Sequence, residues 1–199
     1  MILVMAPVNP EWTPADYVNF AASGHILFAL CYLNAGLFTV LVVFFFASLY
    51  QEYKDANRQV ALATLLLIPV YAAINLVVYF SQITIIPVLV RNMNYGYYSA
   101  ERIAPWLQCY MHSPMAILNG LAYALLGIPS LIFGWLILKK NSGYRLAAYS
   151  LVLSAVLSFL GLIGYVADNS VLDKGTVLGG LVFTITVFLF CIPQGNDKI

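Results

Sequence analysis

Apolar residues run in five long stretches along this chain, separated by short polar intervals. The stretches are His25–Tyr50, Val60–Val90, Ser113–Leu138, Leu146–Ala167 and Thr176–Ile192, and none holds a Lys, Arg, Asp or Glu. A helix needs about 20 apolar residues to cross the hydrocarbon core of a bilayer. The pattern therefore predicts an all-α integral membrane bundle of five transmembrane helices, the first two long enough to tilt. With 199 residues and such short connections, one membrane domain, 1–199, is expected and no separate soluble one.

The polar intervals predict an orientation. Lys54 and Arg58 follow the first stretch, Lys139, Lys140 and Arg145 follow the third, and Lys198 lies in the C-terminal tail. Arg91, Arg102 and Lys174 fall on the opposite side. Short cytoplasmic loops are enriched in Lys and Arg, so six cations against three place the N-terminus outside and the C-terminus inside. Residues 1–24 then form an outer, amphipathic segment. They do not read as a signal peptide, because the apolar run Met1–Pro7 is short, no cationic stretch precedes it, and Pro10, Glu11 and Pro14 break up the next residues. Thr13-Pro14-Ala15-Asp16 reads instead as a helix start, with Thr13 as cap, Pro14 at the first position and Asp16 as the capping-box acid. Ser113-Pro114 opens the third span in the same way. Residues 91–112 are expected to be an outer loop, and they carry Tyr95, Tyr97, Tyr98, Trp106 and Tyr110 on the same side as Trp12 and Tyr17. Tyr and Trp favour the membrane–water boundary. The loop is therefore either an interfacial anchor or a lid over an outward-facing pocket.

Within the spans, neutral polar residues fall on narrow faces at helical spacing. Span two aligns Thr64, Tyr71, Asn75, Tyr79 and Gln82; span three aligns His112, Ala116, Asn119, Tyr123, Gly127, Ser130 and Gly134. Span four aligns Ala147, Ser150, Ser154, Ser158, Gly161 and Tyr165. Lipid offers such groups no partner, so the stripes are expected to face one another. Small residues let helices approach closely, and this makes span four, with Gly175 and Gly179 of span five, a packing seam. Spans two and three carry larger groups. Asn75, Tyr79, Gln82, His112, Asn119 and Tyr123 are the expected ligand-binding residues of an outward-open polar-aromatic pocket, with simple interhelical hydrogen bonding as the competing reading. Pro69, Pro87 and Pro129 each remove a backbone donor from a span, which either bends the helix or frees a carbonyl for a ligand.

Composition narrows the chemistry. The hydrophobic fraction is 62% and the charged fraction 9%, against roughly 25% charged in soluble domains. A net charge of +1 shows no bias toward nucleic acid, and the expected partners are the lipid bilayer, other membrane subunits or a small amphipathic ligand. Spans without Lys, Arg, Asp or Glu argue against proton relays, voltage sensing and ion coupling through a buried carboxylate. His25 begins span one and His112 immediately precedes span three on the same side, so on facing helices the two could ligate one metal or haem, with Cys109 and Asp16 nearby in sequence. The denser ligand patterns of metal sites are missing, so interfacial histidines are the simpler reading. No Gly-x-Ser-x-Gly, phosphate-binding glycine loop or His-Glu-x-x-His motif is present. A Cys31–Cys109 disulfide would join two outer positions, but with no pairing pattern Cys31, Cys109 and Cys191 read as apolar fillers.

The run Ile74-Asn75-Leu76-Val77-Val78-Tyr79-Phe80-Ser81-Gln82-Ile83-Thr84 with Pro87, and Met111-His112-Ser113-Pro114 leading to Tyr123 and Gly127, resemble a loose group of bacterial multi-pass membrane proteins of unknown function. The likeness covers roughly spans two to five. It implies a compact helical bundle in a bacterial inner membrane, and no activity, substrate or cofactor. The expected function is a non-catalytic membrane protein that binds a small neutral or lipid-like ligand. An accessory subunit of a membrane complex, and a haem or metal protein using His25 and His112, are the alternatives.

Overall fold

The computed structural model of the chain describes residues 12–23, 25–110, 113–140 and 143–192, and the regular elements among them are all helical, with no strand. Helix α1 is Pro14–Ser23, α2 His25–Tyr53, α3 Arg58–Leu65, α4 Leu67–Asn94, α5 Ala100–Ile103, α6 Pro114–Lys139, α7 Arg145–Val166 and α8 Lys174–Cys191. A 3-10 turn, Ala104–Trp106, follows α5. Five segments are long and apolar enough to cross a membrane: Ile26–Tyr53, Arg58–Asn94, Pro114–Lys139, Arg145–Val166 and Lys174–Cys191.

The helix ends follow local chemistry. Thr13 and Asp16 form the expected capping box, in which the Thr13 amide and hydroxyl donate to the Asp16 carboxylate at 2.8 and 2.7 Å. These bonds lower the pKa of the exposed Asp16 carboxyl, the Thr13 hydroxyl contributing most. Ser113 caps α6, its Oγ accepting from the Ala116 amide at 2.9 Å. α4 ends in a Schellman motif: Gly96 is left-handed (φ 81°), the Gly96 amide donates to Met93 O and the Tyr97 amide to Asn92 O. α7 ends alike, with Asp168 at φ 51° and the Asn169 amide donating to Gly164 O.

Hydropathy located the spans but not their ends. α2 runs on to Tyr53 and α4 to Asn94 because helices continue past the hydrocarbon edge into the interface. The expected span Val60–Val90 is interrupted at Leu66, where Pro69 cannot donate to the Leu65 carbonyl and α3 stops. At Pro87 and Pro129 the helix continues. The expected loop 91–112 is largely ordered helix and turn, since its first four residues belong to α4 and its middle forms α5 and the 3-10 turn.

The chain divides into two compact units, and α2, α4 and α6 contribute residues to both. Unit 1 is Met1–Leu41 with Ala73–Asn119. Here α1 packs on α5 and the 3-10 turn. Tyr17, Val18 and Ala21 of α1 join a buried cluster with Phe28, Tyr32, Val78, Tyr79, Ile86, Ile103 and Leu107. Tyr17 stands edge-on to Trp12 (5.3 Å) and to Tyr110 (5.1 Å). The aromatic residues of 91–112 thus divide, Tyr110 packing inward while Tyr95 and Tyr97 are 71% and 72% exposed.

Unit 2 is Val42–Ala72 with Gly120–Ile199. α7 and α8 pack along the small-residue stripe, as expected. A Cβ on Gly161 would collide with the Thr176 backbone, one on Gly175 would lie 2.5 Å from Leu157 O, and one on Gly179 2.6 Å from Ser158 Oγ. The Ser154 hydroxyl donates across the seam to Gly179 O at 2.9 Å. Phe46, Phe133 and Phe183 fill the interior, with Phe46 5.7 Å from Phe133 and 6.0 Å from Phe183. At one rim Lys140 donates to the Glu52 carbonyl and carboxylate at 3.0 and 3.1 Å, which satisfies an orphan carbonyl in the last turn of α2.

Gly161→Ala is expected to lower the thermal midpoint in detergent, costing roughly 1–3 kcal/mol by overpacking. Gly36 is the control, since a Cβ there meets only ordinary contacts at 3.6 Å and beyond. Gly36→Ala should be neutral or stabilising. Equal losses in both variants would contradict a close α7–α8 seam.

Candidate functional site

Among the expected site residues, Asn75, Tyr79, Gln82 and Asn119 lie in unit 1, on α4 and α6. Tyr123 belongs to unit 2, where its ring lies 6.4 Å from that of Tyr71. His112 falls outside the described residues, and only the backbone of His25 is described. The histidine pair expected to hold metal or haem is therefore not placed. Among the described residues no cluster of three or more His, Cys, Asp or Glu is positioned to hold a metal ion.

Gln82 is fully buried, and its amide is used up by the chain itself. Its Oε1 accepts from the Gln108 amide at 3.0 Å. Its Nε2 donates to Trp106 O at 3.0 Å and lies 2.9 Å from Ser81 Oγ. The network continues outward: Tyr32 Oη donates to Gln108 Oε1 at 2.8 Å, and Ser113 Oγ donates to Leu107 O at 2.7 Å. One side chain on α4 thus ties down residues 106–108, and Gln108 ties them in turn to α2. Tyr79 packs beside this network, its ring 6.1 Å from that of Tyr32.

Asn75 and Asn119 contrast with Gln82. Asn75 is fully buried and neither of its amide atoms has a hydrogen-bond partner among the described residues; the same holds for Asn119 Oδ1, at 4% exposure.

A cavity of about 250 Å³ lies in unit 1 between α1, α2 and α4. Ala21 and Ala22 come from α1, Phe28 and Ala29 from α2, and α4 contributes Gln82, Ile83, Ile86, Pro87, Val90, Arg91 and Asn94. Gln82 is the one expected pocket residue on this lining; Asn75, Tyr79 and Asn119 are not part of it. The lining that sequence reasoning missed is mostly apolar, with Arg91 and Asn94 at the end of α4, and it carries no signature beyond the end of α1 and the spacing of α4.

Cys31 and Cys109 are both free thiols, so the disulfide considered from sequence is not formed. Burial raises the Cys109 pKa to about 12 and outweighs a backbone hydrogen bond that lowers it.

No protein-family model, curated protein or solved structure matches this chain. The five apolar helices define its class: it is a multi-pass integral membrane protein.

The two amide environments separate under substitution. Gln82→Leu strands the buried Gln108 N–H, at about 1–3 kcal/mol, and also removes the donor to the part-buried Trp106 C=O. Asn75→Leu removes a buried amide that has no partner to lose, and thermal unfolding in detergent should find it neutral or stabilising. A loss as large as that of Gln82→Leu would show that Asn75 is hydrogen-bonded after all. For the cysteines, a pKa of about 12 against the ordinary 9.0 cuts the thiolate fraction at neutral pH about a thousandfold. Peptide mapping after N-ethylmaleimide treatment should find Cys109 unmodified at pH 7 in the folded protein and modified once it is unfolded. Ready modification in the folded state would contradict its burial.

Proposed function

We propose that the protein is a non-catalytic membrane protein that binds the apolar part of a small lipid-like amphiphile in the groove between α1, α2 and α4. The observation that carries this reading is the composition of the groove wall: Ala21, Ala22, Phe28, Ala29, Ile83, Ile86, Pro87 and Val90 are apolar, and the Gln82 amide is already spent on residues 106–108. A volume of about 250 Å³ is room for several waters or for a segment of acyl chain. Water there would find few partners, whereas a segment of acyl chain needs none. Bilayer tails are as apolar as the wall, so preference for one amphiphile over bulk lipid arises from shape and from contacts to its head.

The cation distribution supports the placement. With six Lys and Arg on one side and three on the other, the C-terminal end of α4 and the groove lie on the outer side of the membrane. The inner membrane of a bacterium is the setting this reading favours.

Native mass spectrometry of the protein extracted from membranes should show a retained amphiphile. Ala22→Phe, which fills the groove, is expected to lower its occupancy tenfold or more while circular dichroism keeps the wild-type helix signal. Unchanged occupancy in the filled variant would overturn the reading.

A further inference from the structure

The groove changes character along its length. Ile83, Ile86, Pro87, Val90, Arg91 and Asn94 stand at positions i, i+3, i+4, i+7, i+8 and i+11 of α4, so they form a single stripe that is apolar at first and ends in a guanidinium and a carboxamide. Arg91 is exposed and is the one charged residue of the lining; no acid stands beside it there. Its guanidinium has no ion pair or hydrogen bond with a described residue, whereas Lys140 is paired with Glu52. Helical side chains lean toward the N-terminus of their helix. Arg91, in the last turn of α4, therefore leans back over the turn that holds Pro87 and along the groove. Asn94, three residues on, adds a donor to the same face.

Resting on the amphiphile reading above, we propose that Arg91 and Asn94 form a headgroup subsite, and that the ligand is an anionic lipid whose phosphate oxygens are held by the Arg91 guanidinium while its chain lies along Ile86 and Pro87. Guanidinium matches phosphate as a planar fork of donors, which an ammonium or a carboxamide alone does not reproduce. The continuity of the stripe selects a lipid over a free anion, because inorganic phosphate would engage Arg91 and leave the apolar wall empty.

The test reconstitutes the full chain in mixed micelles and reads bound lipid by native mass spectrometry, with phosphatidylglycerol and phosphatidylcholine of identical chains as probes. Wild type should prefer phosphatidylglycerol about fivefold, the scale of one interfacial cation. Arg91→Gln should lose that preference while still binding both lipids. Arg102→Gln, which removes an exposed cation of α5 outside the groove, should keep it. An absent preference in wild type, its persistence in Arg91→Gln, or an equal loss in Arg102→Gln would overturn the subsite. Displacement of phosphatidylglycerol by equimolar inorganic phosphate would overturn the lipid as the source of the anion. Failure of the groove itself is read separately: equal binding of both lipids by wild type and Ala22→Phe would refute the amphiphile reading, whatever Arg91 does.

Discussion

Hydrocarbon supplies no hydrogen bonds, so a chain that crosses it must satisfy its polar groups from within. In this protein the constraint is sharpened because the five apolar stretches hold no Lys, Arg, Asp or Glu that would recruit water or a counterion. Gln82 shows how the constraint is met. Its amide, buried on α4, takes the buried Gln108 N–H and gives to the part-buried Trp106 carbonyl at the end of the 3-10 turn, two backbone groups that lie beyond the reach of a regular helical ladder. Tyr32 and Ser113 fasten the same short segment from two other helices. The 3-10 turn that supports α1 is held by these bonds, and α1 in turn supplies one wall of the groove.

Unit 2 meets the same constraint largely through close packing of small residues. Glycines at 161, 175 and 179 bring the backbones of α7 and α8 close enough for dispersion contacts and for two hydrogen bonds across the seam, Ser154 to Gly179 O and Thr186 to Ser150, while the phenylalanines of the interior need no partner at all. Close-packed seams of this kind leave no room for a guest. Unit 1, in which the short helix α1 packs beside parts of the long α2 and α4, encloses the groove.

Much of the fold was legible because hydropathy and small-residue spacing respond directly to the bilayer. The five spans, the Thr13–Asp16 capping box, the Ser113 cap and the seam of spans four and five come from patterns of a few residues each. The helix ends were less so, because hydropathy marks the hydrocarbon boundary and α4 continues past it to a Schellman turn at Gly96. α5 and its 3-10 turn span seven residues, too few for periodicity to register. Gln82 stood out as a polar residue in an apolar run, yet its partners are backbone groups at 106 and 108, and no side-chain pattern announces those. The groove was illegible for a related reason. Its walls are alanines, isoleucines and a proline, indistinguishable in sequence from lipid-facing positions, and only the packing of α1 beside α2 and α4 makes a concave surface of them.

Polar stitching at Gln82 leaves beside it a groove with an apolar wall and a cationic end, and on the proposed reading that groove is shaped for one amphiphile. An experimental structure of the protein in lipid nanodiscs tests this most directly. Elongated density lying along Ala22, Ile86 and Pro87, with its polar end at Arg91, is the predicted result. A groove closed by its own side chains, or one holding only discrete waters, would contradict it.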